Sequence, residues 1–428
     1  MIIKGARVID PANDIDATLD IRIRDGIIAD VASGLTALDS EEVLNAEGLT
    51  AAPGLVDVHS HFRDPGQTHK ETLHTGALAA AAGGYTSVIC MANTLPAVDN
   101  IETLSDIIRR AHDEKIHIYQ TAAVTRDRAG ESLSDMEALK EAGAAGFTDD
   151  GSPIMDLSVV TSAMKEAARI DTILSFHEED PAYVGIAGIN EGAASGRLGI
   201  KGADRKAEYS MVERDLKLAL DTGARIDIQH VSAKESVDLI REYKMKDRKG
   251  LIHAEATPHH FSLTEDAISA YGSLAKVNPP IRTEEDRLAI IRGLADGTLD
   301  LITTDHAPHA ASEKGAALTE APSGMTGLET ALSLGITNLV KTDRLSLPAL
   351  ISLMSLNPAR LYGLPAGTLS EGAPADIVLF DTDLEYTLTE DMLHSRSFNT
   401  PFIGKTLTGR VKYTISDGQI VFSSSSSH

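Results

Sequence analysis

The sequence predicts an α/β fold, a (β/α)8 TIM-type barrel with a small β domain built from both termini. Three observations predict it. Between about residues 51 and 364, short apolar runs alternate with helix-length amphipathic segments, the βαβα order of a parallel sheet. Residues 1–50 and 365–428 instead read as short strands separated by Asp-Gly and Gly-Ala-Pro turns. No GxGxxG or GxxxxGK[ST] phosphate loop occurs, which weakens the alternative of an open, doubly wound nucleotide-binding sheet.

Taken in order, Ile21 and Ile23 alternate with Arg22 and Arg24 before the Asp25-Gly26 turn, a half-buried strand. The run ALAAAAGGYTSVICMA is interrupted by Gly83 and Gly84 and reads as a helix end followed by a buried strand. Eight strands are expected to end near His61, Ala92, Val124, Thr148, Glu178, Ser232, His260 and His309. Helices are expected at DIIRRAHDEK after strand two, DLSVVTSAMKEAARI after strand four and ERDLKLALDTG after strand five, the last stopped by Gly223. ADIVLFD, LTGRVKYTISDG and QIVF return to strand texture, and the FSSSSSH tail is expected to fray.

Composition narrows the function classes. Lys and Arg number 39 against 63 Asp and Glu, a formal net charge of −24, so a nucleic-acid-binding surface is not expected. Cys90 is the single cysteine and forms no intrachain disulfide. MIIKGARVID lacks a signal-peptide pattern, and no apolar run approaches the ~18 residues of a membrane span. The expected location is cytoplasmic, without a membrane partner.

The expected strand ends gather ionisable residues. His59 and His61 lie two apart in LVDVHSH, on one face of a strand. Asp149 and Asp150 end strand four, His177 strand five, His230 strand six and Asp305 strand eight. Singly, each is as well explained as a satisfied structural residue. Four His and two Asp arriving at one C-terminal rim from five strands are not, and imidazole with carboxylate suits Zn²⁺. Six ligands exceed the three of an ordinary catalytic zinc, so two ions bridged by a carboxylate are expected, with hydrolysis or its reverse as the reaction class. Arg63 offers a fork for a carboxylate if its strand continues, and Asn93, Asn278 and His309 add polar groups at the same rim. Their structural alternatives are an ion pair for Arg63, a turn cap for Asn93 and a residue preceding Pro279-Pro280 for Asn278. His69, His74, His112, His117, His253, His394 and His428 are expected to be structural or on the surface, and His259, His260 and His306 to support the ligands.

In this order, GLVDVHSHFRDPG, MANTLP, GFTDDG, HEED with NEG, HVSA, ATPHH, KVNPPIR, TTDHAPH with GLET, and NTPFIGKTLTGRV resemble bacterial dihydroorotases of the long, class I type, in the amidohydrolase superfamily. The resemblance covers nearly the whole chain and implies that the (β/α)8 barrel is distorted and that the two-ended β domain is a composite β-sandwich. It implies the reversible cyclisation of N-carbamoyl-L-aspartate to L-dihydroorotate in pyrimidine (UMP) biosynthesis, with a metal-bridging hydroxide as nucleophile. It further implies two zinc ions per chain: His59, His61 and Asp305 on one, His177 and His230 on the other, and Asp150 bridging. Asp305 is then the catalytic acid and base. Arg63, Asn93 and His309 would hold the substrate carboxylate, and Asn278 with the backbone of Ser323 and Gly324 the ring. GFTDDG has no lysine to carry the carbamate bridge of many superfamily members, so Asp150 is expected in that place. Residues 310–323 are expected to form a lid. The partners implied are this small-molecule substrate, a second copy in a homodimer and an aspartate transcarbamoylase. An allantoinase or hydantoinase activity is the near alternative; an inactive scaffold for the transcarbamoylase and a metallophosphoesterase are more distant ones.

Overall fold

The computed structural model describes residues 1–424. Its first strands are β1 (Ile2–Asp10), β2 (Ile15–Arg24), β3 (Ile27–Ala32), β4 (Val43–Asn45) and β5 (Thr50–Pro53). The parallel strands of the middle are β6 (Leu55–Ser60), β7 (Tyr85–Cys90), β8 (His117–Gln120), β9 (Phe147–Thr148), β10 (Ile173–Phe176), β11 (Arg225–Ile228), β12 (Ile252–Ala256) and β13 (Leu301–Ile302). The chain closes with β14 (Ile377–Thr387), β15 (Thr406–Ser416) and β16 (Gln419–Ser423).

Strands from both ends form one sheet in the order β16-β15-β14-β5-β1-β2-β3, with β4 beside β1. The link between the two ends is β5, which pairs in parallel with β1 and antiparallel with β14. The sheet therefore takes the chain as far as Pro53. Ile3, Val8, Ile21, Ile23, Ile28, Ile377, Leu379 and Ile415 give it a core of its own. The expected fraying of FSSSSSH is not seen at Phe422 and Ser423, which pair with Thr414 and Tyr413. Residues 425–428 lie outside the described residues.

The middle strands run β6-β7-β8 and β9-β10-β11-β12-β13. Two isolated bridges, Ala122 to Phe147 and Ser60 to His306, join these runs into a closed ring. The seam beside β6 is held by the Asp57 carboxylate, fully buried, which accepts from Ser60 Oγ at 2.6 Å and from Thr304 N at 3.0 Å, and also from Thr304 Oγ1. Val56, Val58, Ile89, Met91, Ile173 and Leu301 come from strands that are not all neighbours yet share one apolar cluster, so they fill the ring's interior.

Helices fall between strands for local reasons. Asn100 caps Ile101–Ala111 by accepting from Thr103 N, Asp156 caps Leu157–Ile170, and Lys206–Thr222 ends at Gly223 with φ 79°. The first of these starts before the expected DIIRRAHDEK and stops before Asp113, because the cap sits at Asn100. Several strands stop short of their expected ends. β8 ends at Gln120 rather than Val124, β11 at Ile228 rather than Ser232, and β13 at Ile302 rather than His309. His230 and Asp305 have φ 35° and 44°, which no extended strand accommodates. After β12, Pro258 starts a short helix, Pro258–Ser262, where the strand was expected to run on to His260. Among the described residues no helix is long and apolar enough to cross a membrane.

Because Asp57 satisfies several donors across the closing seam, Asp57→Ala leaves them buried without an acceptor. The expected loss is about 2–3 kcal/mol, read as a lower urea midpoint with unchanged slope in the metal-free protein.

Candidate metal centre at the barrel rim

The residues that follow the barrel strands converge. His59 lies in β6, His61 just beyond it, Asp150 two residues after β9, His177 directly after β10, His230 two after β11 and Asp305 three after β13. All six are buried. Two overlapping groups emerge, His59, His61 and Asp150, and Asp150, His177 and His230, with Asp150 common to both. Asp150 Oδ1 lies 3.7 Å from His59 Nε2, 3.6 Å from His177 Nδ1 and 4.0 Å from His230 Nε2, while Oδ2 lies 3.5 Å from His61 Nε2. Asp305 Oδ1 stands 3.0 Å from His61 Nε2 and 3.6 Å from His59 Nε2. Asp149, its sequence neighbour, turns away and accepts from the amides of Val124 and Thr125 and from the Thr125 hydroxyl.

The charge balance of this cluster fits a cation. Burial disfavours a charged His59, yet Glu255, Asp305 and Asp150 outweigh it and lift its pKa to about 10. His177 is likewise lifted to about 10, burial being overcome by Asp150 and Glu179. His230 is pushed well below its ordinary value by burial and by the charges of His177 and His59. For Asp150, burial is overcome by His177, His61 and His59, which hold its carboxyl well below the usual range. Protons thus supply positive charge that a divalent ion would replace. His59 Nε2 is buried without a hydrogen-bond partner although carboxylates surround it, as a nitrogen reserved for a metal would be. Nitrogen and carboxylate donors at these separations suit a divalent metal.

Several groups that hold the converging residues were not singled out from the sequence. Glu255 in β12, fully buried, meets His59 Nδ1 at 2.9 Å and the Thr303 hydroxyl at 2.9 Å, fixing which ring nitrogen faces the cluster. The available signal was a carboxylate inside the short apolar run IHAEA. Glu179 accepts from Asn278 Nδ2 at 2.7 Å and lies 3.7 Å from His177 Nε2. Asn399 accepts from the His309 amide and donates to the carbonyls of Ala307 and Gly324.

The other expected site residues divide. Arg63 is not on a continuing strand; β6 has ended, Arg63 has φ 58°, and its Nε donates to the Pro308 carbonyl at 3.3 Å. Asn93 bridges two of the six residues, donating to Asp150 Oδ2 at 2.8 Å and meeting His61 Nδ1 with its oxygen at 3.0 Å. Asn278 Oδ1 is buried and unpartnered. His309 Nε2 donates to the Ser323 carbonyl at 2.8 Å, leaving Nδ1 buried without a partner. Burial, then Arg63, Lys70 and Lys314, bring the His309 pKa down to about 2, so the ring is neutral. Gly324, at φ 134°, donates its amide to the Lys276 carbonyl. The imidazoles of His260 and His306 bond Thr257, Pro279, Glu71 and Gly327 rather than the side chain of any of the six residues, while the His306 carbonyl accepts from the His61 amide at 2.9 Å.

The expected lid segment is tied down by two buried ammonium groups. Lys276 Nζ donates to the carbonyls of Leu318 and Ala321 at 2.9 and 2.7 Å, and Lys314 Nζ to those of Pro322 and Gly324 at 2.9 and 2.8 Å. Burial and the nearby Lys276 charge bring the Lys314 pKa down to about 7.

Two outcomes are expected. Glu255→Gln removes the acceptor that orients His59, so affinity for a divalent metal falls about 10–100-fold, measured by competition with a chelator. An unfolded lysine keeps its proton to about pH 10.4, whereas folded Lys314 releases it near pH 7. The unfolded state therefore binds more protons between those values and stability gains a rising slope with pH. Thermal midpoints between about pH 7 and 9 should rise less steeply, or fall more steeply, in Lys314→Met than in the parent chain.

Known proteins are similar to this chain at two levels. A family model described as dihydro-orotase-like matches residues 48–236, and one described as amidohydrolase family matches residues 207–422. The dihydroorotase of Clostridioides difficile (strain 630) is 49% identical over 422 residues, covering 99% of either chain, and that of Clostridium acetobutylicum is 50% identical over the same length and shares. Among solved structures, the L-hydantoinase (dihydropyrimidinase) of Arthrobacter aurescens superimposes with TM-score 0.88 at 24% identity, covering 99% of this chain and 96% of that one. The dihydropyrimidinase of Brevibacillus agri NCHU1002 gives 0.85 at 21%, covering 99% and 95%. These structural likenesses speak for the fold. Full-length identity near one half carries more, and by it the chain belongs to the dihydroorotase family of the amidohydrolases.

Proposed function

We propose that this chain is a dihydroorotase, a hydrolase of cyclic amide bonds that interconverts L-dihydroorotate and N-carbamoyl-L-aspartate. The observation that carries the reading is the pair of ligand groups sharing Asp150 at the barrel rim, in a chain of this family. His59, His61 and Asp305 would hold one zinc ion, His177 and His230 a second, with Asp150 between them. Bound there, the ions would make water ionise near neutral pH and polarise the scissile carbonyl.

The chain's own residues do the rest. Asp305 takes a proton from the attacking water and passes it to the ring nitrogen as the C–N bond breaks; in cyclisation it returns that proton. The Asp305 backbone at φ 44° turns the carboxylate out of the strand direction and toward His59 and His61. Arg63 supplies a guanidinium beside the His309 loop for the substrate carboxylate. His309, neutral and fixed through its Nε2 bond to the Ser323 carbonyl, lies beside Arg63 at the same end of the site. Asn93 contributes from its place between His61 and Asp150. Asn278 Oδ1, buried and unpartnered, accepts a ring N–H, and the Ser323-Gly324 backbone lines the ring.

Purified protein supplemented with zinc and given L-dihydroorotate tests the reading by loss of the ring's far-UV absorbance. Turnover is expected, is abolished by chelation and restored by zinc, and falls about 10³-fold or more in Asp305→Asn. Since the dianionic open chain consumes one proton on closing to the monoanionic ring, the equilibrium ratio of ring to open chain should fall about tenfold per unit rise in pH. Faster turnover of allantoin or a hydantoin than of dihydroorotate would overturn the assignment.

A further inference from the structure

A second gathering of ligand-type side chains lies at the opposite end of the barrel. His117 is the first residue of β8, so it sits at the N-terminal end of the strand, away from the rim. Asp376 immediately precedes β14, and Asp417 occupies the turn between β15 and β16. The barrel and the terminal sheet meet here, and an imidazole from one faces two carboxylates from the other. His117 Nε2 lies 3.0 Å from Asp376 Oδ2 and 3.8 Å from Asp417 Oδ1.

The close approach of Asp376, with Asp417 beside it, raises the His117 pKa, yet the contact is not an aligned hydrogen bond. Asp376 is 4% exposed, and its Oδ1 is already fixed by the Asp417 amide at 2.9 Å. Its Oδ2 and His117 Nε2 are both buried, and despite their approach neither has an aligned hydrogen-bond partner. The separations bracket the edge of about 3.3 Å between ligands of a tetrahedral zinc ion with bonds near 2.0 Å. Asp417 faces a cavity of about 740 Å³, lined also by Glu114, Tyr119 and Gln419, from which water could complete the coordination.

We propose that His117, Asp376 and Asp417 bind a divalent cation of the zinc type, a metal site separate from the rim cluster that fastens the barrel to the terminal sheet. Such an ion binds only where β8, β14 and the β15–β16 turn are assembled, so it stabilises the folded arrangement by mass action. Nitrogen with two carboxylate oxygens favours zinc or cobalt over magnesium and calcium, which prefer all-oxygen shells.

The test compares the parent chain with Asp417→Asn, a turn position at φ 48° that Asn also tolerates. Both are purified with the rim metal loaded and titrated calorimetrically with Zn²⁺, and with Co²⁺ followed by its visible absorption. The parent should take up one more ion per chain than the variant, and its melting midpoint should rise with added zinc. Asp417→Asn and His117→Gln should lose at least about tenfold in that affinity and lose the shift, with dihydroorotate turnover unchanged. Because the readout is a difference between chains, it stands whatever the rim cluster holds or catalyses. Superimposable isotherms for parent and Asp417→Asn would show an ion pair only and overturn the proposal, as would an extra ion that persists in His117→Gln.

Discussion

A carboxylate withdrawn from water with no counter-charge is among the most expensive groups a fold can bury, and the Asp150 carboxylate is buried. It is tolerated because three histidines, from β6 and the positions after β10 and β11, approach one of its oxygens, while His61 and Asn93 take the other. Each of those side chains is itself placed by a different strand end. The geometry of the rim therefore depends on the ring being closed and in register, and the ring depends on the seam that Asp57 holds.

Around this centre the structure uses pairs in which one member fixes the other. Glu255 sets the orientation of His59, Asn93 spans His61 and Asp150, and Glu179 holds the amide of Asn278 beside His177. With Nδ1 of His59 and of His61 occupied, each ring turns Nε2 inward. Positive φ values at Arg63, His230 and Asp305 belong to the same logic. The chain leaves the strand abruptly at these points, and neighbouring contacts hold it in conformations that an isolated peptide would rarely visit.

The segment after His309 is built on a different principle. Two buried lysines direct their ammonium groups at backbone carbonyls of residues 318–324, so the irregular stretch after the short helix Ala311–Lys314 acquires fixed hydrogen bonds. The same loop carries the Ser323 carbonyl that fixes the His309 ring. Its conformation and the donor pattern offered to an anion are thereby coupled.

The sequence by itself determined the strand and helix alternation, the two-ended sheet and the identity of the converging histidines and aspartates. Those features are written in local periodicity: apolar runs of strand length, caps such as Asn100 and Asp156, the Gly223 stop, and polar residues at the ends of apolar runs. Strand ends were legible only to within several residues, because the departures at His230 and Asp305 are enforced by tertiary contacts rather than by residue type. Tertiary structure alone decided that Asp149 turns away to the Val124 and Thr125 amides, that Asn93 is occupied with both His61 and Asp150, and that Glu255 stands behind His59. It likewise decided that His117, unremarkable in the sequence, meets Asp376 and Asp417 some 260 to 300 residues further along the chain. Such pairings join residues far apart in sequence across a closed sheet, and no local pattern encodes which distant side chain will occupy the facing position.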